Sequence, residues 1–383
     1  MYDFDNCPSR RGTDSLKWNV SDRELPMWVA DMDFPAAPSV LDALQKRLDH
    51  GVFGYCEVPE QWRHAYIAWW CSRHGFTMKR EWLIFCTGVV PAVSSIVRKL
   101  TTPNENIVLQ TPVYNIFFNS ILNNGCRVAE SPLVYRNGAY NVDFDDLEQK
   151  LADPQTSMMI LCNPHNPIGK IWDRDTLARI GEMCQKHHVT VISDEIHCDL
   201  TMPGAGYVPF ASVSDACRSV SVTCLAPTKA FNLAGLQTAC VSVPDPFLRH
   251  KVWRALNTDE VAEPNAFACT AAIAAFENGG AWLDRLRAYL HENRKTAEET
   301  IQKRIPGLRA VKAEATYLLW LECLTHASGK DVAAHLKKTT GLILTPGNEY
   351  GRAGERFLRM NLACPRKTLH DGLERLIAGM SSL

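Results

Sequence analysis

The sequence predicts an α/β protein, with a mostly parallel central sheet covered by helices on both faces and a smaller α+β domain beside it. Three observations predict it. Short apolar runs rich in Val, Ile and Met, such as NIVLQ (106–110), SMMILCNP (157–164) and VTVISDEI (189–196), read as strands buried on both faces. Helical patterns separate these runs, as parallel neighbours require. Past residue 280 the order changes to a long helical stretch followed by mixed strands and helices.

Each element follows in turn. After SMMILCNP, Asp173 suits an N-cap for a helix through TLARIGEMCQKHH, which ends at His187 and His188. That helix end, rather than a metal, is the reading for the two histidines. SVSVTCL (219–225) and QTACVSVP (237–244) complete the sheet. AWLDRLRAYLHENRKTAEETIQKRI (281–305) reads as one long helix leaving it. ATYLLWLEC, helical DVAAHLKKTTG, LILTPG, FLRMNLAC and a last helix then form the smaller unit. The expected division is a large domain over 45–280 and a small domain built from both chain ends, 1–44 and 281–383.

Composition bounds the function. A chain of 383 residues exceeds one small core. Its 41 Lys and Arg nearly balance 42 Asp and Glu, so no global field favours nucleic acid or an anionic membrane. The N-terminus has no apolar core for a signal peptide, and no window approaches the roughly 18 apolar residues of a membrane span. Fourteen cysteines form no C-x-x-C pair, and many sit in apolar runs. Buried free thiols in a reducing cytoplasm are expected, Cys198 among them, and no metal site.

Ligands of open α/β sheets sit beyond the carboxyl ends of the strands. Three of those ends carry unusual polar groups. SMMILCNP runs into Asn163-Pro164-His165-Asn166, VTVIS into Asp194-Glu195-Ile196-His197, and SVSVTCL into Ala226-Pro227-Thr228-Lys229. Upstream, Thr87-Gly88-Val89-Val90 precedes a helical pattern whose N-terminus can offer backbone N–H groups to a phosphate. Singly each has an ordinary reading, and a lone lysine past a strand is ordinarily a solvated charge. Together they supply the needs of pyridoxal phosphate: a lysine to form an imine, an acid for the ring nitrogen, donors for the phenolic oxygen and an anion site.

At these residues the chain resembles the fold-type I pyridoxal-phosphate enzymes, the aminotransferase class I/II superfamily. More narrowly it is similar to the carbon–sulfur β-lyases of the cystathionine β-lyase type. RRGTDSLKW, LPMWVADMDFP, HGVFGY, TPVYNIF, NPHNPIGK, ISDEIHCDL, TKAFNLAGL, EATYLLWL and LRMNLACPR carry that resemblance in order along the chain. It implies that Lys229 bonds the cofactor and that Asp194 pairs with its ring nitrogen. Asn166 and His197 would contact the phenolic oxygen, and Tyr114 would stack on the ring. Gly88, Val89, Val90 and the Thr228 hydroxyl would hold the phosphate, with Tyr55 reaching it from a neighbouring subunit of a homodimer. Arg359 would take the substrate α-carboxylate. Trp28 and Asp31 are expected as substrate neighbours.

Two departures from the wider superfamily stand out. Ala226 replaces a common phosphate-binding serine and Gln237 a common phosphate-binding arginine, the second in keeping with the β-lyase group. Ile168 replaces the usual threonine of NPTG, with no account from the sequence. The expected activity is β-elimination from cystathionine, cystine or other cysteine S-conjugates, giving a thiol, pyruvate and ammonia. Transamination on the same scaffold is the alternative, and a regulatory protein contact could coexist with either. No nucleic-acid or membrane partner is expected.

Overall fold

The computed structural model describes residues 2–383. Its large sheet has seven strands: β1 Leu83–Cys86, β2 Asn106–Leu109, β3 Arg127–Glu130, β4 Thr156–Cys162, β5 Thr190–Asp194, β6 Ser221–Leu225 and β7 Ala239–Ser242. Their spatial order is β1-β7-β6-β5-β4-β2-β3. All pairs are parallel except those of β7, which runs antiparallel to both neighbours.

Alternation along β4 shows why the apolar runs form strands here. Met158, Ile160 and Cys162 join one core cluster with helix Val89–Leu100, while Met159 and Leu161 join another with helix Arg174–Lys186. A period of two sends successive side chains to opposite faces, so only a run apolar at every position can be covered on both. Asp173 caps the second of these helices, its Oδ1 accepting the Thr176 N–H at 2.7 Å. His187 is the C-cap residue of that helix and bonds Glu148 at 2.8 Å.

Two expectations shift. The run over 219–225 is strand only from Ser221, because Ser214 caps a short helix, Asp215–Val220, that absorbs Ser219 and Val220. The strands β1 and β3, at the two edges of the sheet, are additional to the expected set. β3 has no fully buried residue, so its sequence lacks the apolar run that marks its neighbours.

The small sheet is antiparallel: β8 Leu308–Ala310, β9 Leu318–Cys323, β10 Thr345–Pro346 and β11 Phe357–Asn361, in the order β8-β9-β11-β10. One face packs Leu319, Leu321, Leu358 and Met360 against helices Gly329–Thr340 and Arg366–Ser381. From the other, Trp320 and Phe357 stack on each other at 5.0 Å and join the core of the large sheet. At the N-terminal end, Leu25–Pro26 pairs in parallel with Leu342–Ile343, whereas helix Pro38–His50 packs on helix Ala268–Asn278. Among the described residues, no helix is long and apolar enough to cross a membrane.

Candidate active site

Register brings the polar strand ends together. Asp194 lies abreast of Cys162 on β4 and Cys224 on β6. The three turns that follow these positions therefore open at one level, and they carry Asn166, His197 and Lys229. A cavity of about 280 Å³ lies there, walled by these residues and by Tyr114, Thr228, Gly88, Val89, Val90, Ala30 and Gln237. Arg359, from the middle of β11, reaches the wall of this cavity, its Nη1 donating to the Asn166 side-chain Oδ1 at 3.4 Å. Tyr55 is the predicted site residue that does not join them. It is fully exposed in the stretch between residues 51 and 59, beside exposed Val52 and Phe53.

Asp194 is buried at its strand end, and its Oδ1 accepts the Ile196 N–H at 3.1 Å. Burial pushes its carboxyl up to about 6, against the opposing pull of that N–H and of the Lys229 charge. His197 goes the other way. Burial first, then the charges of Lys229 and Arg359, bring its imidazole down to about 3, so the ring is neutral. Its Nδ1 has no partner among the described residues. Burial raises the Tyr114 phenol to about 12, which keeps its hydroxyl protonated.

The turn that carries Asp194 and His197 is clamped from behind. Glu195 accepts hydrogen bonds from Ser193 Oγ at 2.7 Å, from the Phe210 N–H at 2.9 Å and from the Tyr207 hydroxyl. Asp199 accepts from the Trp69 indole at 3.0 Å and meets His74 Nε2 at 3.0 Å. Cys198 is a small buried thiol between them, as expected from the sequence.

Lys229 donates to the Ala30 carbonyl at 2.6 Å. Burial, reinforced by the Arg359 charge, brings its amine down to about 8, against the pull of Asp31 and Asp194. An ordinary lysine leaves roughly one amine in 2,500 neutral at pH 7, whereas an amine at about 8 leaves about one in ten. Arg359 is buried, donates from Nη2 to the Trp28 carbonyl at 2.8 Å and lies 5.0 Å over the Tyr350 ring.

The residues present fit pyridoxal phosphate. The buried Asp194 carboxylate has no side-chain donor among the described residues, which suits a protonated ring nitrogen. Unpartnered His197 Nδ1 and the amide of Asn166 border the same cavity. Gly88 is the N-cap of the twelve-residue helix Val89–Leu100 and offers no side-chain cap, so the first backbone N–H groups are free for an anion. A Cβ at Gly88 would stand 3.1 Å from Pro91 Cδ, crowding that turn.

Some participants escaped the sequence reading. Tyr317 donates to the Ala30 carbonyl at 3.0 Å, and Tyr350 lies under Arg359. Tyr317 sits in the EATYLLWL run, which marked a likeness but no role, and Tyr350 had no signal at all. Ile168 now has a reason. It is buried in the apolar cluster with Trp172 and Leu177, where a threonine hydroxyl would lack a partner.

The model of the aminotransferase class I and II family matches residues 27–376. Cystathionine beta-lyase PatB of Bacillus subtilis (strain 168) is 43% identical over 386 residues, covering 99% of this chain and 100% of the relative. Protein MalY of Escherichia coli (strain K12) is 33% identical, with 98% of each chain covered. Cystalysin from Treponema denticola, whose crystal structure contains a pyridoxal 5'-phosphate cofactor, matches with a TM-score of 0.96 at 30% identity. That match covers 100% of this chain and 99% of the other.

Proposed function

This chain belongs to the aminotransferase class I and II family, and from that membership we propose that it is a pyridoxal-phosphate-dependent carbon–sulfur β-lyase. Its substrates are amino acids with sulfur at Cβ: cystathionine, cystine and other cysteine S-conjugates. The observation that carries this reading is the meeting, on one cavity, of the Lys229 amine and the undonated Asp194 carboxylate, with the Arg359 guanidinium bonded to Asn166 in the cavity wall. The 43% identity to a cystathionine β-lyase over the whole chain supports the same choice.

Asp194, Asn166, His197, Tyr114, Thr228 and the Gly88–Val90 turn would hold the cofactor, which supplies a sink for the electron pair left at Cα. The chain's own residues do the rest. Arg359 suits an α-carboxylate because its planar fork donates two parallel hydrogen bonds. Lys229 takes the Cα proton on Nζ, and its lowered affinity for that proton lets it both accept and release it near neutral pH. Apolar neighbours such as Ala30, Ile196 and Ala234 keep water from the reacting atoms. The Cβ–S bond then breaks with its electron pair on sulfur, and hydrolysis of the remaining fragment gives pyruvate and ammonia.

The reading extends to a homodimer in which Tyr55 reaches the cofactor phosphate of a second copy. Full exposure of Tyr55 beside Val52 and Phe53 supports it, because a patch of three such side chains is costly to leave in water. A cytoplasmic setting is supported by the cysteines, all free and mostly buried. The test of the activity is pyruvate release from L-cystathionine by the cofactor-loaded protein and by Lys229→Ala. We expect steady release by the first and none by the second, with the fold of the variant intact by circular dichroism. Equal release by both would remove Lys229 from the chemistry.

A further inference from the structure

Trp28 and Ala30 meet the site through their backbone carbonyls, but the charged residues of RRGTDSLKW and MWVADMDF do not line its cavity. In the fold they meet. Arg10 grips Asp31 with bonds of 2.6 and 3.0 Å and also reaches Asp33 at 3.0 Å and the Met32 carbonyl at 3.0 Å. Lys17, only 1% exposed, donates to Asp33 at 2.9 Å, and the Trp18 indole donates to the same carboxylate at 2.8 Å. Burying Lys17 and Asp33 and partly burying Arg10 and Asp31 is costly, so such a knot is a poor device for stability alone and a good one for fixing register.

What it fixes is the strap of residues 28–34, whose backbone carbonyls face the two catalytic cations. The Trp28 carbonyl accepts from Arg359 at 2.8 Å and the Ala30 carbonyl from Lys229 at 2.6 Å. The two halves of the strap are held differently. At its start, Met27 continues the ladder to Ile343, and Thr345 Oγ1 bonds the Trp28 carbonyl at 3.3 Å. Past Ala30, one backbone bond, from the Asp33 N–H to the Ala363 carbonyl at 2.9 Å, is joined by the side-chain amides of Asn361 and Asn232 and by the charged knot. The knot therefore bears on the carbonyl that meets Lys229 more than on the one that meets Arg359.

We propose that Arg10, Lys17, Asp31 and Asp33 are positioning residues for proton transfer, holding the Ala30 carbonyl where it orients the free Lys229 amine. The inference rests on the lyase reading, in which that amine carries the Cα proton. A neutral amine has two N–H bonds and one lone pair. Committing one N–H to Ala30 restricts where the lone pair points, and misorientation of a reacting group costs rate rather than affinity. The N-terminal arm is thus tied to the chemical step through the Ala30 carbonyl.

The test uses the holoenzyme of wild type, Arg10→Gln and Asp33→Asn, with pyruvate release from L-cystathionine and from its Cα-deuterated form. The expected result is a kcat lowered by about tenfold with KM within about threefold, and a larger deuterium isotope effect than in the wild type. A second readout needs no turnover. Cofactor-free Arg10→Gln, mixed with pyridoxal phosphate, should regain its visible absorption several-fold more slowly than wild type. Arg10 is partly exposed, so this variant decides alone if Asp33→Asn fails to fold. A folded Arg10→Gln with kcat, isotope effect and recombination rate unchanged overturns the proposal, as does a rise confined to KM. A wild type that releases no pyruvate overturns the lyase reading, and this inference with it.

Discussion

Asp194 ends β5 inside the protein, and burial pushes its carboxyl up to about 6. The sign of the consequence is fixed by linkage. Between the unfolded value near 4 and about 6, the native chain holds more proton than the unfolded one, so stability is greatest below that window and falls as pH rises through it. In the cofactor-free protein, Asp194→Asn should therefore be stabilising at pH 8, by at most about 3 kcal/mol, with the gain gone near pH 4. Denaturant titration at the two pH values checks this, and an unchanged difference would show that the carboxylate is not strained by burial. The same variant should bind pyridoxal phosphate more weakly, because an amide cannot supply the charge that a protonated ring nitrogen needs. At Arg359 the expected loss is of a different kind. Arg359→Lys keeps the charge and loses the fork, and KM for L-cystathionine should rise at least tenfold, corresponding to about 1.4 kcal/mol or more. Lys229, Asp194 and Asn166 stood out in the sequence because each polar group follows a strand, whereas the place of Arg359 came from the family resemblance. Tyr350 was not, since a tyrosine in a short irregular turn carries no pattern that points across to another element.

Elements behave as their local chemistry dictates. The Asp173 cap satisfies the Thr176 N–H of helix Arg174–Lys186, so Asp173→Ala should cost about 1 kcal/mol in unfolding free energy and leave kcat/KM unchanged. Gly169 is a stronger case. Its φ is +67°, and a Cβ there would lie 2.6 Å from Ala313 Cβ and 2.7 Å from the Ala315 carbonyl. The Gly169 carbonyl also accepts the N–H groups of Glu314 and Ala315, which ties the Asn166 loop to the segment leading into β9. Gly169→Ala should lower both thermal stability and kcat/KM, and loss of only one would separate the turn from the site. Most buried strands were readable because both faces are covered, the four-residue β1 being the buried strand that was missed. β3 was not, because it carries no buried run, and the start of β6 was obscured by a serine-capped helix turn whose last two residues, Ser219 and Val220, repeat the Ser-Val pair that opens the strand.

Across the whole molecule, the large sheet sets the level at which the three turns open, and the small sheet brings Arg359 to the same cavity. The chain ends are where sequence reasoning was thinnest. RRGTDSLKW and MWVADMDF have no period of two or 3.6, and only the fold shows that Arg10 and Lys17 meet Asp31 and Asp33. If Tyr55 completes the site of a neighbouring subunit, inactive Lys229→Ala and weakened Tyr55→Ala should restore activity when refolded together, since one site of the mixed dimer carries both native residues. Sedimentation should give twice the chain mass. No gain on mixing would place Tyr55 outside the site.

The most direct test of the central claim is the product balance with L-cystathionine as the sole substrate. β-Elimination predicts thiol, pyruvate and ammonia in equal amounts over many turnovers, with the cofactor spectrum unchanged at the end. Conversion of the cofactor to its pyridoxamine form after a single turnover, without pyruvate, would contradict the account and make the protein an aminotransferase.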